Sequence, residues 1–306
     1  MRIAFLGTPE FARASLQALI DDGQEIAAVF TQPDRPRGRG MAVSASPVKD
    51  LAVSRGIEVY QPDTFSDGAP TELLRSVAPD LVVAVAYGRL LPESFLSIPK
   101  YGSINVHASL LPRYRGAAPI QWAVLNGDEV TGVTVQYMAK EMDAGDVLSR
   151  RETVIGEYET SGELFERLKV LGAELLTETV HALAEGKAAA VPQNSAEASY
   201  TAMLTKDMSP IDWTKSPRQI VKQICGLDPW PVASARLGDA QLRIFRARYT
   251  QNETRLAPGS IVSAGKAGIE VACGEGKTLM VTEVQPAGKK RMSAAAFLLG
   301  HPLKAQ

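Results

Sequence analysis

The sequence predicts an α/β fold, a doubly wound and mostly parallel sheet, followed by a smaller C-terminal β-barrel. Three observations carry this. Short apolar strand-like runs alternate with helical stretches over residues 1–186. Residues 187–205 lose all periodicity. From residue 206 on, short β-like runs follow one another, separated by turn signals. A length of 306 residues fits two domains at roughly 100 to 200 residues each.

In the first domain the strand candidates are residues 2–7, 25–31, 57–60, 80–87 and 103–107, each rich in Val, Ile or Ala and bounded by Gly or Pro. Helical stretches at 12–20, 47–55 and 71–77 separate the first four. Near-continuous apolar strands alternating with helices imply a parallel, Rossmann-like sheet covered on both faces. Residues 132–138 (GVTVQYM) and 147–155 read as later strands, and an amphipathic helix at 160–185, with Thr160 or Ser161 as its cap, closes the domain. These patterns set a first domain at 1–186, a linker at 187–205 and a second domain at 206–306. The latter opens with a helix near Ser216, with Pro217 in its first turn. The runs ASARL, LRIFRARY, GSIVSA, GIEVAC and TLMVTEVQP then suggest an OB-like barrel.

Composition narrows the function classes. At 45% hydrophobic and 22% charged residues the chain is an ordinary globular protein, which excludes a disordered or collagen-like one. No apolar run nears the roughly 18 residues of a membrane span, and the N-terminus has no room for a secretory h-region, so a cytoplasmic protein is expected. Cys225 and Cys273 form neither a disulfide framework nor a CxxC pair. With only three histidines, no ordinary zinc site and no metal is expected. A monomer is the default, since no sequence feature demands an interface.

The net charge of −1 conceals an asymmetry. Residues 1–200 hold 18 Lys+Arg and 26 Asp+Glu, whereas residues 201–306 hold 15 and 8. Either the basic part contacts nucleic acid or a membrane, or two ordinary domains differ in pI.

Two motifs fail. Gly7-Thr8-Pro9 opens like a dinucleotide fingerprint, but Pro9 replaces the glycine that lets backbone approach a pyrophosphate. Gly276-Lys277-Thr278 ends like a phosphate-binding loop, yet Val271 stands where its first glycine belongs.

The informative segment is SINVHASLLPRYRG, residues 103–116. Asn105 and His107 share one face of a strand, and two polar residues at the end of a buried strand need a reason. One reason is a site in the crevice at the carboxyl ends of the strands; the other is a histidine satisfied by neighbouring backbone, with Asn105 capping a loop. Leu110 and Leu111 either join the core or wall an apolar slot. Asp143, in Met142-Asp143-Ala144-Gly145-Asp146, is either a turn former or a carboxylate orienting His107. Amide, imidazole and carboxylate together suit acyl-type transfer to an amine, and no Ser or Cys nucleophile elbow is present.

INVHASLLPRYRGAAPIQWAVLNGD followed by MDAGDVL resembles the formyltransferase domain of enzymes that use 10-formyltetrahydrofolate. FLGTPEFA, FTQPDRPRGRG with SPVK, AYGRLLP, IDW, DPWP and QPAGKKRMSA are similar to the branch of that family that formylates methionyl-tRNA, so the resemblance runs from Arg2 to about Phe297. It implies that Asn105, His107 and Asp143 are catalytic and that Ser109, Leu110, Leu111 and Pro112 contact the folate. Tyr87, Gly88 and Leu90 would line the pterin pocket. The basic loop with Arg35, Arg37 and Arg39, mobile by its Pro and Gly content, would insert into the acceptor stem of initiator methionyl-tRNA. The C-terminal domain, with Lys289, Lys290 and Arg291, would supply further tRNA contacts. The donor would be 10-formyltetrahydrofolate, with no metal. Met41-Ala42 stand where many relatives carry Lys-Lys, Ala108 where glycine is common and Tyr114 where tryptophan is frequent. Two alternatives stay open: transfer to a nucleotide or nucleotide-sugar amine, and a non-catalytic tRNA-binding relative.

Overall fold

The structure of the chain, a computed structural model, describes residues 1–37 and 42–305. It opens with strand β1 (Arg2–Gly7), helix α1 (Glu10–Asp21) and β2 (Glu25–Phe30). The short strands β3 (Arg35–Arg37) and β4 (Ala42–Ser44) come next, then α2 (Pro47–Ser54), β5 (Val59–Tyr60), α3 (Ala69–Val77), β6 (Leu81–Val85) and α4 (Glu93–Leu96). β7 (Ser103–His107), β8 (Arg115–Gly116), α5 (Pro119–Leu125), β9 (Val130–Tyr137), β10 (Val147–Val154) and α6 (Ser161–Ala184) complete this part.

Seven strands form one sheet in the order β10-β9-β7-β6-β1-β2-β5. From β5 to β7 all pairs are parallel, whereas β9 joins β7 antiparallel. The parallel strands are apolar on both sides because both are covered. Alternate residues Ala4, Leu6, Ala28, Phe30, Val82 and Ala84 meet Leu74, Val77, Phe65, Phe95 and Tyr87. The Phe30–Phe95 and Phe65–Phe95 ring centroids lie 5.8 and 5.2 Å apart, edge to face. On the other face Gly172 of α6 lies against Val106 and Phe11. β10 alternates between exposed and half-buried residues, as befits a sheet edge.

The chain order reverses between β1 and its two neighbours, which opens a crevice at the carboxyl ends of β1 and β6. The strand read at 80–87 stops at Val85, since Ala86 and Gly88 take φ of +45° and +77° and turn the chain across that crevice. Gln32, just past β2, ties the ends together: its N–H donates to Thr8 Oγ1 and its side-chain amide to the Tyr87 carbonyl.

Two compact units emerge. The first comprises residues 1–116, 132–153 and 165–200, the second 117–131, 154–164 and 201–306. In the second, Ser216 caps α7 (Pro217–Leu227) through a reciprocal bond with Gln219. An antiparallel sheet follows in the order β12 (Ala233–Leu237), β13 (Ala240–Glu253), β16 (Lys277–Pro286), β15 (Gly268–Ala272) and β14 (Ile261–Gly265). β17 (Met292–Ser293) pairs with β16. The five β-runs read from sequence are all strands. The expected barrel is not closed by a β12–β14 ladder among the described residues, because the outer edge of β12 pairs with residues 209–211 instead: Ser234 N donates to Ser209 O at 2.7 Å and Ile211 N to Ser234 O at 2.9 Å.

Within the second unit Glu163 receives the Arg246 guanidinium and also closes a capping box with Thr160, one of the two caps expected from sequence. The Arg246 hydrogen bond, acting against burial and helped by Thr160, holds the Glu163 carboxyl down at about 2. A carboxyl depressed by folding stabilises above its ordinary range and loses that contribution as pH falls toward 2. Glu163→Gln retains the capping box and removes the charge. It should lower Tm at neutral pH by an amount that shrinks as pH falls below about 4.5, checked by thermal unfolding of both proteins across that range.

Candidate active site

The site forms where β7 and β9 run side by side. Their register sets Asn105 opposite Gln136 and His107 opposite Thr134, so four polar side chains share one face of two buried strands. Asn105 is half-buried, and its side-chain amide makes no hydrogen bond among the described residues. His107 is buried. Its Nε2 lies 2.8 Å from the Tyr114 carbonyl, which can only accept, so Nε2 carries a proton; Nδ1 faces Asp143 Oδ2 at 3.7 Å.

Asp143 reaches this point from the loop after β9. Its φ of +51° turns the side chain inward, a conformation that Asp tolerates better than most residues. Oδ2 accepts from Gly116 N at 2.8 Å and Oδ1 from Gln136 Nε2 at 3.2 Å. Gly145 is required here because a Cβ would lie 1.9 Å from the Tyr137 carbonyl. Gln193 braces the loop by donating to the carbonyls of Asp143 (2.9 Å) and Gly145 (2.7 Å).

The stretch 109–112 is strapped to β9. Thr134 Oγ1 donates to Ser109 O at 2.7 Å and accepts from Leu111 N at 3.2 Å, while Ser109 Oγ donates to Arg113 O at 2.6 Å. Leu111 is buried and Leu110 half-buried, so the pair divides between core and wall. The bond between Leu111 and Pro112 is cis. Across the strand ends Tyr87 is buried edge-on to Phe65, its hydroxyl unpartnered and pushed up by burial to about 12. Gly88 follows it, and Leu90 is exposed.

The basic residues fare unevenly. Arg35 and Arg37 lie on β3, which pairs antiparallel with β4; Arg39 of the expected loop lies outside the described residues. Strand β3 follows Asp34, which accepts from Lys49 and Gln61. Lys289 and Lys290 are exposed at a turn. Arg291 is engaged internally, stacked 4.2 Å from the Phe245 ring centroid and bonded to Glu283 and Asp228.

Sequence reasoning missed Gln136, Gln193 and Arg115. Gln136 carries the same signal as Asn105, a polar residue inside an apolar strand. Gln193 sits in the aperiodic segment read as a linker and carries none. Arg115 received no reading of its own, yet it is among the largest fully buried side chains.

Residues 1–180 match the formyl transferase family and residues 203–302 the formyl transferase C-terminal domain. The chain belongs to the formyl transferase family. This formyl transferase is 47% identical over 304 residues to the methionyl-tRNA formyltransferase of Citrifermentans bemidjiense, covering 99% of this chain and 95% of that one. It is 45% identical over 300 residues to that of Agathobacter rectalis, covering 98% and 96%. Its fold matches the N-formyltransferase from Helicobacter canadensis in complex with folinic acid and dTDP-3-aminofucose, with a TM-score of 0.71 at 17% identity over 94% of this chain and 99% of that one.

In a formyl transferase whose carboxylate hangs on a crowded loop, Gly145→Ala should displace Asp143. A drop in kcat of at least about tenfold, with a lowered Tm, is the expected result of steady-state kinetics and thermal unfolding.

Proposed function

We propose that this chain transfers the formyl group of 10-formyltetrahydrofolate to the α-amine of methionine on initiator tRNA. The observation that carries the reading is the uncommitted Asn105 amide beside the buried His107–Asp143 pair, in a chain 43–47% identical over nearly full length to proteins named methionyl-tRNA formyltransferase.

The reaction follows from the groups present. The neutral amine attacks the formyl carbon, and charge collects on the formyl oxygen. Asn105 Nδ2 is a free donor for that oxygen. His107 keeps its Nε2–H on the Tyr114 carbonyl, so its Nδ1 edge, facing Asp143 Oδ2, is the place where a proton is gained or lost. A proton leaving the amine passes into the His107–Asp143 pair. As the tetrahedral intermediate collapses, the bond from the formyl carbon to the folate nitrogen breaks and that nitrogen takes up a proton. Ser109, Leu110, Leu111 and Pro112, strapped by Thr134, form one wall for the folate, with Tyr87, Gly88 and Leu90 across the strand ends. The burial of Tyr87, Leu111 and Ser109 suits an aromatic heterocycle more than a free polyanion.

The acceptor is argued from charge. Arg35, Arg37 and Arg39 lie in an otherwise acidic half, and Lys289 and Lys290 stand exposed in the basic one; phosphate contacts of this kind position a nucleic acid. Arg291, occupied by Glu283 and Asp228, is a weaker candidate. A cytoplasmic enzyme fits this acceptor, and among the described residues no helix is long and apolar enough to cross a membrane.

The test offers labelled formyl donor with charged initiator tRNA, free methionine and small nucleotide-sugar amines. Formylation of the tRNA alone is expected, and His107→Ala should lower kcat at least about 100-fold. Transfer to a small amine instead of tRNA, or near-normal turnover in His107→Ala, overturns the reading. tRNA affinity should also fall steeply with rising salt despite the net charge of −1, measured by filter binding.

A further inference from the structure

Gln193 lies in residues 187–205, a stretch without pattern, yet it is pinned against the site. The segment attaches to β10 by a two-way bridge, Val147 N to Val191 O at 2.8 Å and Val191 N to Val147 O at 2.9 Å. Gln193 Oε1 then accepts both Nε and Nη2 of Arg115, at 3.1 and 2.8 Å. Arg115 is 2% exposed and always charged, and it also donates to the Tyr200 hydroxyl.

That fork decides which way the Gln193 amide faces. Its Nε2 points at acceptors alone: the carbonyls of Asp143 and Gly145, and Gln136 Oε1 at 2.9 Å. Because Gln136 Oε1 is thus occupied as an acceptor, Gln136 Nε2 is left to face Asp143 Oδ1, which it does at 3.2 Å. The hydrogen bonds therefore run in one direction, from a buried guanidinium through two amides to the carboxylate. Gln193 holds both the main chain of the Asp143 loop and the donor on the Asp143 side chain.

We propose that Gln193 is a positioning residue for formyl transfer, setting the place of the Asp143 carboxylate through its backbone and through Gln136. This rests on the assignment of Asp143 to the reacting centre. A purely structural Gln193 would only fasten the segment to the sheet, and a glutamate would do that as well, since it is the same size and binds Arg115 at least as firmly. What a glutamate lacks is the N–H pair.

Gln193→Glu is therefore the discriminating variant. In the tRNA formylation assay it should fold with an unchanged far-UV spectrum, lose at least about tenfold in kcat, and keep KM for 10-formyltetrahydrofolate within about twofold. In an Asp143→Asn background the same substitution should cost little further, because its effect passes through Asp143. If Gln193→Glu fails to fold, Gln136→Met, which removes the last donor and leaves the Gln193 bonds to Arg115 and to the Asp143 and Gly145 carbonyls in place, should show the same kcat loss and the same silence with Asp143→Asn. A folded Gln193→Glu with kcat within twofold of the parent, or an equal loss in both backgrounds, overturns the proposal while the functional reading stands. An inactive parent chain overturns the reading itself.

Discussion

The candidate site of this chain depends on one strand pairing, the antiparallel joining of β9 to β7. Its register sets Gln136 against Asn105 and Thr134 against His107. A slip of one residue would bring Val133 or Val135 to the crevice and turn the polar residues toward the helix-covered core. From that single register come the polar floor of the site, the Thr134 strap on the 109–112 stretch, and the exit from which the Asp143 loop departs. The parallel strands beside it supply the crevice, while the β7–β9 pair supplies Asn105, His107, Thr134 and Gln136.

Asp143 is the part of this arrangement that the sheet alone does not secure. It sits in left-handed backbone, on a loop crowded enough at Gly145 to exclude a methyl group, and its contacts come from Gly116, Gln136 and Gln193. A left-handed non-glycine residue costs of the order of 1 kcal/mol, which persists only where surrounding contacts over-determine it. Here those contacts are spread over some 80 residues of sequence, from 115 to 193, so the carboxylate is placed by tertiary structure and not by its own neighbourhood.

Much of the fold was legible because its signals are local. Strand β1 is bounded by Gly7 and lined with apolar residues, and β7 announced itself as an apolar run interrupted by Asn105 and His107. The strand at 80–87 was read too long because alanine at 86 gives no hint of positive φ. The polar pair was legible because buried parallel strands are otherwise apolar, and Gln136 repeats that signal on the next strand. Gln193 was not legible, since an aperiodic polar segment reads the same whether it is solvated or plugged into a site. Arg115 and Arg291 show the same limit for charge: a guanidinium has one letter, whether it meets water, a buried amide or a carboxylate.

The bridge between Val147 and Val191 bears on where the first half of this protein ends as a working object. The family match stops at residue 180 and the helical pattern at 184, and both invite a cut there for a minimal fragment or a domain graft. Such a fragment would retain Asn105, His107 and Asp143 while shedding Gln193, Ser199 and Tyr200, leaving the Arg115 guanidinium buried with fewer acceptors. Tyr200 is the last residue of the first compact unit, so the apparent tether up to that point is an integral part of that unit.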